Sequence, residues 1–426
     1  MAKKAKTKTA SQAAAFVPVT DMLVAGGGYV GLCTALAVKL AAPHLAVTVV
    51  DLASEAAISN DTRASAIAAA ACRMLDQLGI WQELAPLAQP INEMIVTDSR
   101  LNDVVRPVFL TFADDRSEGT NQAGEAFAYM LANRDLVGAL RRRCKAVGVE
   151  LASGLKVSGF ESRDGLMQAV LSNGETIAVR LLVAADGARS ELRALAGIRT
   201  VHWPYDQMGI VVTVEHERDH QGRAEEHFLP SGPFAILPLK GKRSSLVWTE
   251  RTADAKRLLE VDDFSFLLEL EQRFGHKLGE ISVAGTRRAY PLGLILARDY
   301  VRDRFALAGD AAHGIHPIAG QGLNLGFKDA AALAETVVEA DRLGLDIGSL
   351  AVLERYQQWR RFDAVRMGIV TDVLSRLFSN DNRLVRAARD FGLGMVERLP
   401  GLKRQFIDQA AGRDRTAPRL LQGEAI

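Results

Sequence analysis

The sequence predicts an α/β protein in which a Rossmann-like domain is interrupted by a mostly antiparallel β domain and followed by a C-terminal helical region. Three features point there. A strand, glycine loop, helix and strand open the chain; alternating apolar runs fill its middle; and a helical pattern runs on from Gly326.

Taken in order, residues 1–18 read as a disordered basic tail. Lys3, Lys4, Lys6 and Lys8 precede an Ala/Ser/Gln stretch that lacks an apolar core of signal-peptide length. Met22-Leu23-Val24-Ala25 then reads as a buried strand, Gly26 to Gly31 as a loop, Leu32 to Leu40 as a helix and Val47 to Asp51 as the next strand. Gly26, Gly28 and Gly31 have the spacing of a dinucleotide-binding turn, with a structural turn as the plain alternative. Asp51 ends the second strand, where a carboxylate accepts from ribose hydroxyls; a surface acid is its alternative. A helical segment is expected around Ala64 to Leu78. Ile91 to Glu125 holds strand-like Met94-Ile95-Val96 and Val104 to Phe112, an excursion into a second domain.

Helix-forming Asn133 to Ala146 leads to a buried strand, Leu181 to Ala184, that ends at Asp186-Gly187. Runs such as Gly209 to Val214 and Ser245 to Trp248, with turns at Ser231-Gly232-Pro233 and Lys240-Gly241-Lys242, predict an antiparallel sheet between Val201 and Ala284. Phe305 to Ala308 reads as a strand running into Gly309-Asp310, and a Pro/Gly turn from His316 to Gly322 opens an Ala-rich helix. Such a turn strips side chains where a flat ligand touches backbone and aims a helix N-terminus at it. The expected division is 19–90, 125–200 and 286–345 for the Rossmann-like domain, 91–124 and 201–285 for the β domain, and 346–426 for the helical region.

Hydrophobic residues at 48% of 426 are enough for a large core and more than one domain. Lysine plus arginine (52) nearly cancels aspartate plus glutamate (51), so no global field favours nucleic acid. Cys33, Cys72 and Cys144 lie far apart, which fits a reducing, cytoplasmic setting, and Cys33 reads as core. No apolar run approaches the roughly 20 residues of a bilayer span, so membrane contact, at an inner membrane, would be peripheral. His313 and His316 lack a third ligand nearby, so no metal is expected.

Gly26–Gly31, Asp61-Thr62-Arg63-Ala64-Ser65-Ala66, Ala185-Asp186-Gly187-Ala188-Arg189-Ser190, Gly309-Asp310-Ala311-Ala312-His313 and His316 to Gly326 together resemble the single-component flavoprotein aromatic hydroxylases. More narrowly, they resemble the ubiquinone-biosynthesis hydroxylase family, from about Asp21 to about Ala340. The resemblance implies FAD as cofactor, a Rossmann-like FAD-binding domain and an inserted substrate domain. By it, the glycine loop holds the FAD pyrophosphate, Asp51 the adenosine ribose, and Gly309 and Asp310 the stretch towards the ribityl chain. Arg63 and Arg134 fall where the family places FAD contacts, with surface salt bridges as the alternative. Asp186 and Gly187 fall where FAD and pyridine nucleotide contacts are shared. Pro317, Gly320, Gln321 and Gly322 are the catalytic candidates; with Leu323 and Asn324 they would lie along the isoalloxazine. A helix N-terminus at its N1–C2=O edge favours an anion by about 0.3–2 kcal/mol.

The implied activity is hydroxylation of a polyprenylated phenol in ubiquinone biosynthesis through a C4a-hydroperoxyflavin, using molecular oxygen and NAD(P)H or another electron donor. Gly232 to Trp248 looks closest to the enzymes that act on 2-polyprenyl-6-methoxyphenol. Alternatives are another ring position in the pathway, or a non-catalytic, FAD-stabilised subunit of its biosynthetic complex. No second complete G-x-G-x-x-G exists, so a nicotinamide would bind transiently. Trp248 and Tyr290 read equally as pocket or core. Leu374 to Arg404 is a candidate for membrane or partner contact, or a packed cap. No base for the phenol can be named from sequence.

Overall fold

Met22, Leu23 and Val24 are fully buried in the Val19–Ala25 strand, as a parallel strand covered on both faces requires. The computed structural model describes residues 19–98, 101, 108–113, 126–315, 321–378 and 416–426. The expected tail 1–18, the segment 316–320 with Pro317 and Gly320, and 379–415, which takes in most of Leu374 to Arg404, lie outside the described residues.

Val19–Ala25 pairs in parallel with Val47–Asp51 and with Thr176–Ala184. Glu150–Ser153 and Phe305–Leu307 extend the parallel sheet at its two sides. The helices Tyr29–Ala41, Asn133–Ala146 and Gln321–Arg342 share one apolar core with these strands. The C-terminal helix Leu350–Phe378 joins it through Leu353, Tyr356 and Ala364, and the Tyr356 hydroxyl donates to the Leu307 carbonyl at 2.7 Å. Among the described residues, no helix is long and apolar enough to cross a membrane.

A second, mostly antiparallel sheet of eight strands runs in the order His313–Gly314, Ile281–Ala297, Thr200–His216, Arg243–Arg251, Gly232–Leu239, Arg223–Leu229, Glu93–Asp98, Val108–Ala113. One face packs on the helices Thr252–Glu260 and Asp263–Phe274 through Phe234, Ile236, Leu246 and Trp248. Trp248 is therefore core: it is fully buried, its Nε1 donates to Glu250, and the Arg273 guanidinium lies 4.4 Å over its ring. The opposite face looks towards the parallel sheet.

Two elements depart from expectation. Ala64–Ala68 is a strand, and only Ala69–Gln77 is helical. The strand pairs with Ala128–Ala132, so tertiary pairing overrides alanine's preference for helix. The expected boundary at 285/286 falls inside the strand Ile281–Ala297. That strand follows Thr200–His216 from His216–Ile281 to Thr200–Ala297, so the antiparallel sheet extends to Ala297.

Candidate active site

Parallel strands end side by side, with Ala25 in register with Val50 and Ala184, and Ala184 with Leu307. Open α/β sheets bind ligands outside such carboxyl ends, and the loops leaving them carry most of the residues singled out above. Gly26 has φ of +119°, and a Cβ on it would strike the Ala185 carbonyl. Gly31 is buried in the helix Tyr29–Ala41 directly against the Gly26 carbonyl, so any side chain would push loop and helix apart. Gly28 caps that helix without a side-chain hydrogen bond, and a Cβ there would meet no protein atom within 4 Å. A bare approach to first-turn N–H groups is the donor set that a pyrophosphate requires.

Asp51 flanks this loop. Its Oδ1 accepts from Ala53 N at 3.1 Å, and its Oδ2 lies 2.6 Å from where a Gly27 Cβ would stand. Ribose hydroxyls next to a pyrophosphate can donate to such a carboxylate. Asp51→Ala is expected to weaken FAD binding by about 1.5–3 kcal/mol, tenfold or more, with little change in the unfolding midpoint because the side chain's own bond is local. Titration of apoprotein with FAD, followed by flavin fluorescence, checks this.

Gly309 and Asp310 form a 3-10 turn after Phe305–Leu307. Gly309 N donates to Asp329 Oδ2 at 2.9 Å; that oxygen also lies 2.5 Å from His313 Nε2, and Arg360 Nε donates to Asp329 Oδ1 at 2.8 Å. Asp329, His313 and Arg360 are all buried. Burial alone would raise the Asp329 carboxyl, but His313 and Arg360 outweigh it and hold it below the usual carboxylate range. Asp310 goes the other way: desolvation raises it, Asp329 adds to that, and His313 and Arg63 oppose. His313 thus serves the loop that carries Asp310. Among the described residues, no three His, Cys, Asp or Glu side chains are gathered as a metal would need.

The helix Gln321–Arg342 begins beside that turn, with Gly322 leaving open space where a side chain would be. Asn324 Oδ1 accepts from Ala68 N at 2.9 Å and its Nδ2 donates to Ala66 O at 3.0 Å, fastening the helix start to the strand Ala64–Ala68. Between these parts and the second sheet lies a cavity of about 720 Å³. Tyr29, Ala64–Ala66, Asp310, Gly322 and Leu323 line one side; Leu237, Val247, Pro291, Leu292 and Ile295 line the other.

Arg63 and Arg134 sit elsewhere, in a neighbouring cleft of about 380 Å³ that also takes in Lys240, Arg243, Arg288 and Tyr290. Arg63 makes a bidentate pair with Asp61 at 2.9 and 2.7 Å, and Arg134 Nε lies 3.7 Å from Asp135. Asp186 Oδ2 accepts from Leu192 N at 3.4 Å, while Ala188 and Arg189 are the members of its loop that reach the cavity. Sequence reasoning missed Asp329, Arg360 and Glu226, a buried acid on the cavity wall. An acid amid Phe327, Ala330, Ala331 and Ala332 was the available signal for Asp329.

A family model described as FAD binding domain matches residues 19–364. The chain is 44% identical over 412 residues to ubiquinone hydroxylase UbiL of Rhodospirillum rubrum, covering 95% of this chain and 93% of that one. It is 34% identical to 3-demethoxyubiquinol 3-hydroxylase of Escherichia coli over 92% of this chain and 98% of that one. The crystal structure of p-nitrophenol 4-monooxygenase PnpA from Pseudomonas putida shares the fold, with a TM-score of 0.75 at 21% identity over 93% of this chain and 99% of that one. A glycine cradle bare of side chains, a helix N-terminus and a flanking acid fit FAD as the group seated there. The chain belongs to the ubiquinone-biosynthesis hydroxylase family of FAD-dependent monooxygenases.

Proposed function

We propose that this protein hydroxylates the aromatic ring of a polyprenylated phenol in ubiquinone biosynthesis, with 2-polyprenyl-6-methoxyphenol as substrate. The observation that carries the reading is the large cavity, which has Asp310, Gly322 and Leu323 on one wall and a mainly apolar sheet face, Ala235, Leu237, Val247, Leu292 and Ile295 beside the acid Glu226, on the other. A ring with a hydrocarbon tail suits that wall, and a polar metabolite does not. The E. coli relative's name favours the runner-up, another ring position in the same pathway.

FAD, when bound and reduced, supplies the activated oxygen. The chain supplies position and dryness. Gly26, Gly28 and Gly31 would hold the pyrophosphate, Asp51 the adenosine ribose, and Gly309 and Asp310 the stretch towards the ring, with Arg63, Arg134, Asp186 and Gly187 as outer contacts. By the family resemblance, Gln321, Gly322, Leu323 and Asn324, and with them Pro317 and Gly320, which lie outside the described residues, would border the ring. Leu237, Val247 and Ile295 exclude water from the reacting face. NAD(P)H is the proposed donor, and anaerobic bleaching of the flavin by it in stopped flow is the check. The tail implies work at a membrane surface or in a biosynthetic complex; Phe362, Ile369 and Val373, exposed at helical spacing, suit such a contact.

Deletion of the gene should accumulate a quinone precursor short of one ring oxygen, and its fragment masses identify the carbon. Purified protein given isotopically labelled oxygen gas should add one labelled atom to a prenylated phenol. Normal ubiquinone with no precursor would overturn the reading.

A further inference from the structure

The cleft of about 380 Å³ and the large cavity share one face of the antiparallel sheet. Val247 on the cavity wall is in register with Val211 in the cleft, and Val211 with Arg288; Leu237 on the cavity wall is in register with Ser245 in the cleft. Ala64 lines both spaces, and Tyr290 in the cleft is followed by Pro291 and Leu292 in the cavity. The cleft is cationic. Arg63, Arg134, Lys240, Arg243 and Arg288 stand against Asp61 and Asp135, an excess of three in a chain whose net charge is +1. Each acid is engaged by its own neighbour, Asp61 by Arg63 and Asp135 by Arg134. Among the described residues, Lys240, Arg243 and Arg288 make no ion pair; Arg243 Nε donates to the Lys240 carbonyl at 3.2 Å, and Glu215, in register with Arg243, is exposed. Like charges around a concave space focus a positive field into it, and an anion seated there relieves their repulsion.

We propose that this cleft binds the phosphate groups of a reduced pyridine dinucleotide, and that it favours NADPH over NADH. This rests on the reading that NAD(P)H is the electron donor. None of Gly26, Gly28, Gly31, Asp51, Gly309 and Asp310 lines the cleft, so it is distinct from the cradle described for FAD. Guanidinium groups take phosphate oxygens in bidentate pairs. Because the two spaces abut at Ala64 and at Tyr290-Pro291, a dinucleotide anchored by its phosphates can extend its nicotinamide into the cavity, towards Asp310 and Gly322. Side chains on an open face, with no second glycine loop, suit a donor that arrives and leaves within each turnover. Charge decides between the two nucleotides. The NADH pyrophosphate carries about two negative charges, and the 2′-phosphate of NADPH adds about 1.5–2 more. NADH leaves part of the cationic excess unmatched, and NADPH takes up all of it.

Other places with cations serve less well. The loop of Asp186 and Gly187 carries an acid, and the nearby Arg193 is committed to the carbonyls of Ala311 and Ala188 at 2.8 and 3.1 Å. The cleft that holds Arg223 and Lys277 balances them with acids, Arg223 pairing with Glu93 and Lys277 with Glu225.

The test uses full-length, FAD-loaded wild type, R243Q, R288Q and the triple variant K240Q/R243Q/R288Q, with NADPH, NADH and adenosine 2′,5′-bisphosphate as probes. All three side chains are exposed, so each variant should keep its FAD content, its unfolding midpoint and its reduction by dithionite. In anaerobic stopped flow, half-maximal flavin reduction should need about tenfold more NADPH in each single variant, and more again in the triple, at an unchanged limiting rate. NADH should be affected less, so the wild-type preference for NADPH shrinks. Calorimetry should show the bisphosphate binding to wild type, more weakly as salt rises, and more weakly in each variant. Equal NADPH requirements in wild type and triple variant, equal bisphosphate binding in the two, or a wild-type preference for NADH overturns the assignment. Wild-type flavin that neither nucleotide bleaches sinks the donor reading instead, and the calorimetry still decides on the cleft.

Discussion

Asp329→Ala should destabilise the protein by about 3–5 kcal/mol and yield colourless material, because it removes one of the two carboxylates that pair a buried guanidinium and the acceptor of buried His313 and Gly309 N. Arg360 is 1% exposed, and its remaining described carboxylate is Asp363 at 2.9 Å. The same substitution frees Gly309 N, so the turn bearing Asp310 loses its anchor. Thermal unfolding together with flavin absorbance of the purified variant checks both effects. Yellow protein with an unchanged midpoint would mean that the network contributes nothing. The lowered Asp329 carboxyl also fixes a sign. Its stabilisation is fully present above the unfolded value of about 3.9 and fades as pH falls through the lower folded value. Asp329→Asn should therefore be less stable near neutrality, with its deficit shrinking in acid.

A contrast between two glycines gives the second large effect. Gly28→Val puts a side chain into space that no protein atom occupies within 4 Å, so the apoprotein should unfold at nearly the wild-type midpoint. It should nevertheless bind FAD about a hundredfold more weakly or worse, a loss of about 2.8 kcal/mol, because the side chain stands on the phosphate approach. Gly31→Ala instead collides with the Gly26 carbonyl and should lower the apoprotein's stability by about 1–3 kcal/mol as well as FAD retention. Scanning calorimetry of apoprotein beside FAD titration separates the two behaviours. Equal loss of stability in both variants would refute the open approach at Gly28.

Local signals were enough for much of this architecture. The glycine loop between Val19–Ala25 and Tyr29–Ala41 was legible because spacing, apolar runs and backbone demands coincide within a dozen residues. The helix Asn133–Ala146 was readable in its full extent for the same reason. Ala64–Ala68 was not, since its strand state comes from Ala128–Ala132 and Asn324, both distant in sequence. The partnership of Asp329 with Arg360 spans 31 residues and two helices, and each residue alone reads as a solvated charge. Glu226 hides in a Glu-Glu-His run that resembles an exposed strand, and only strand register reveals which face each side chain takes. Family resemblance supplied roles for backbone motifs, and it was silent on side chains that lie outside them.

The double amide link from Asn324 to Ala66 and Ala68 has a consequence for engineering. It rivets the helix start to the strand Ala64–Ala68 within one wall of the cavity, so widening the cavity from that side would break the clamp before it changed selectivity. Regiochemistry is then adjustable from the opposite panel, at Leu237, Val247 and Ile295, and a library aimed at a different product isomer belongs there.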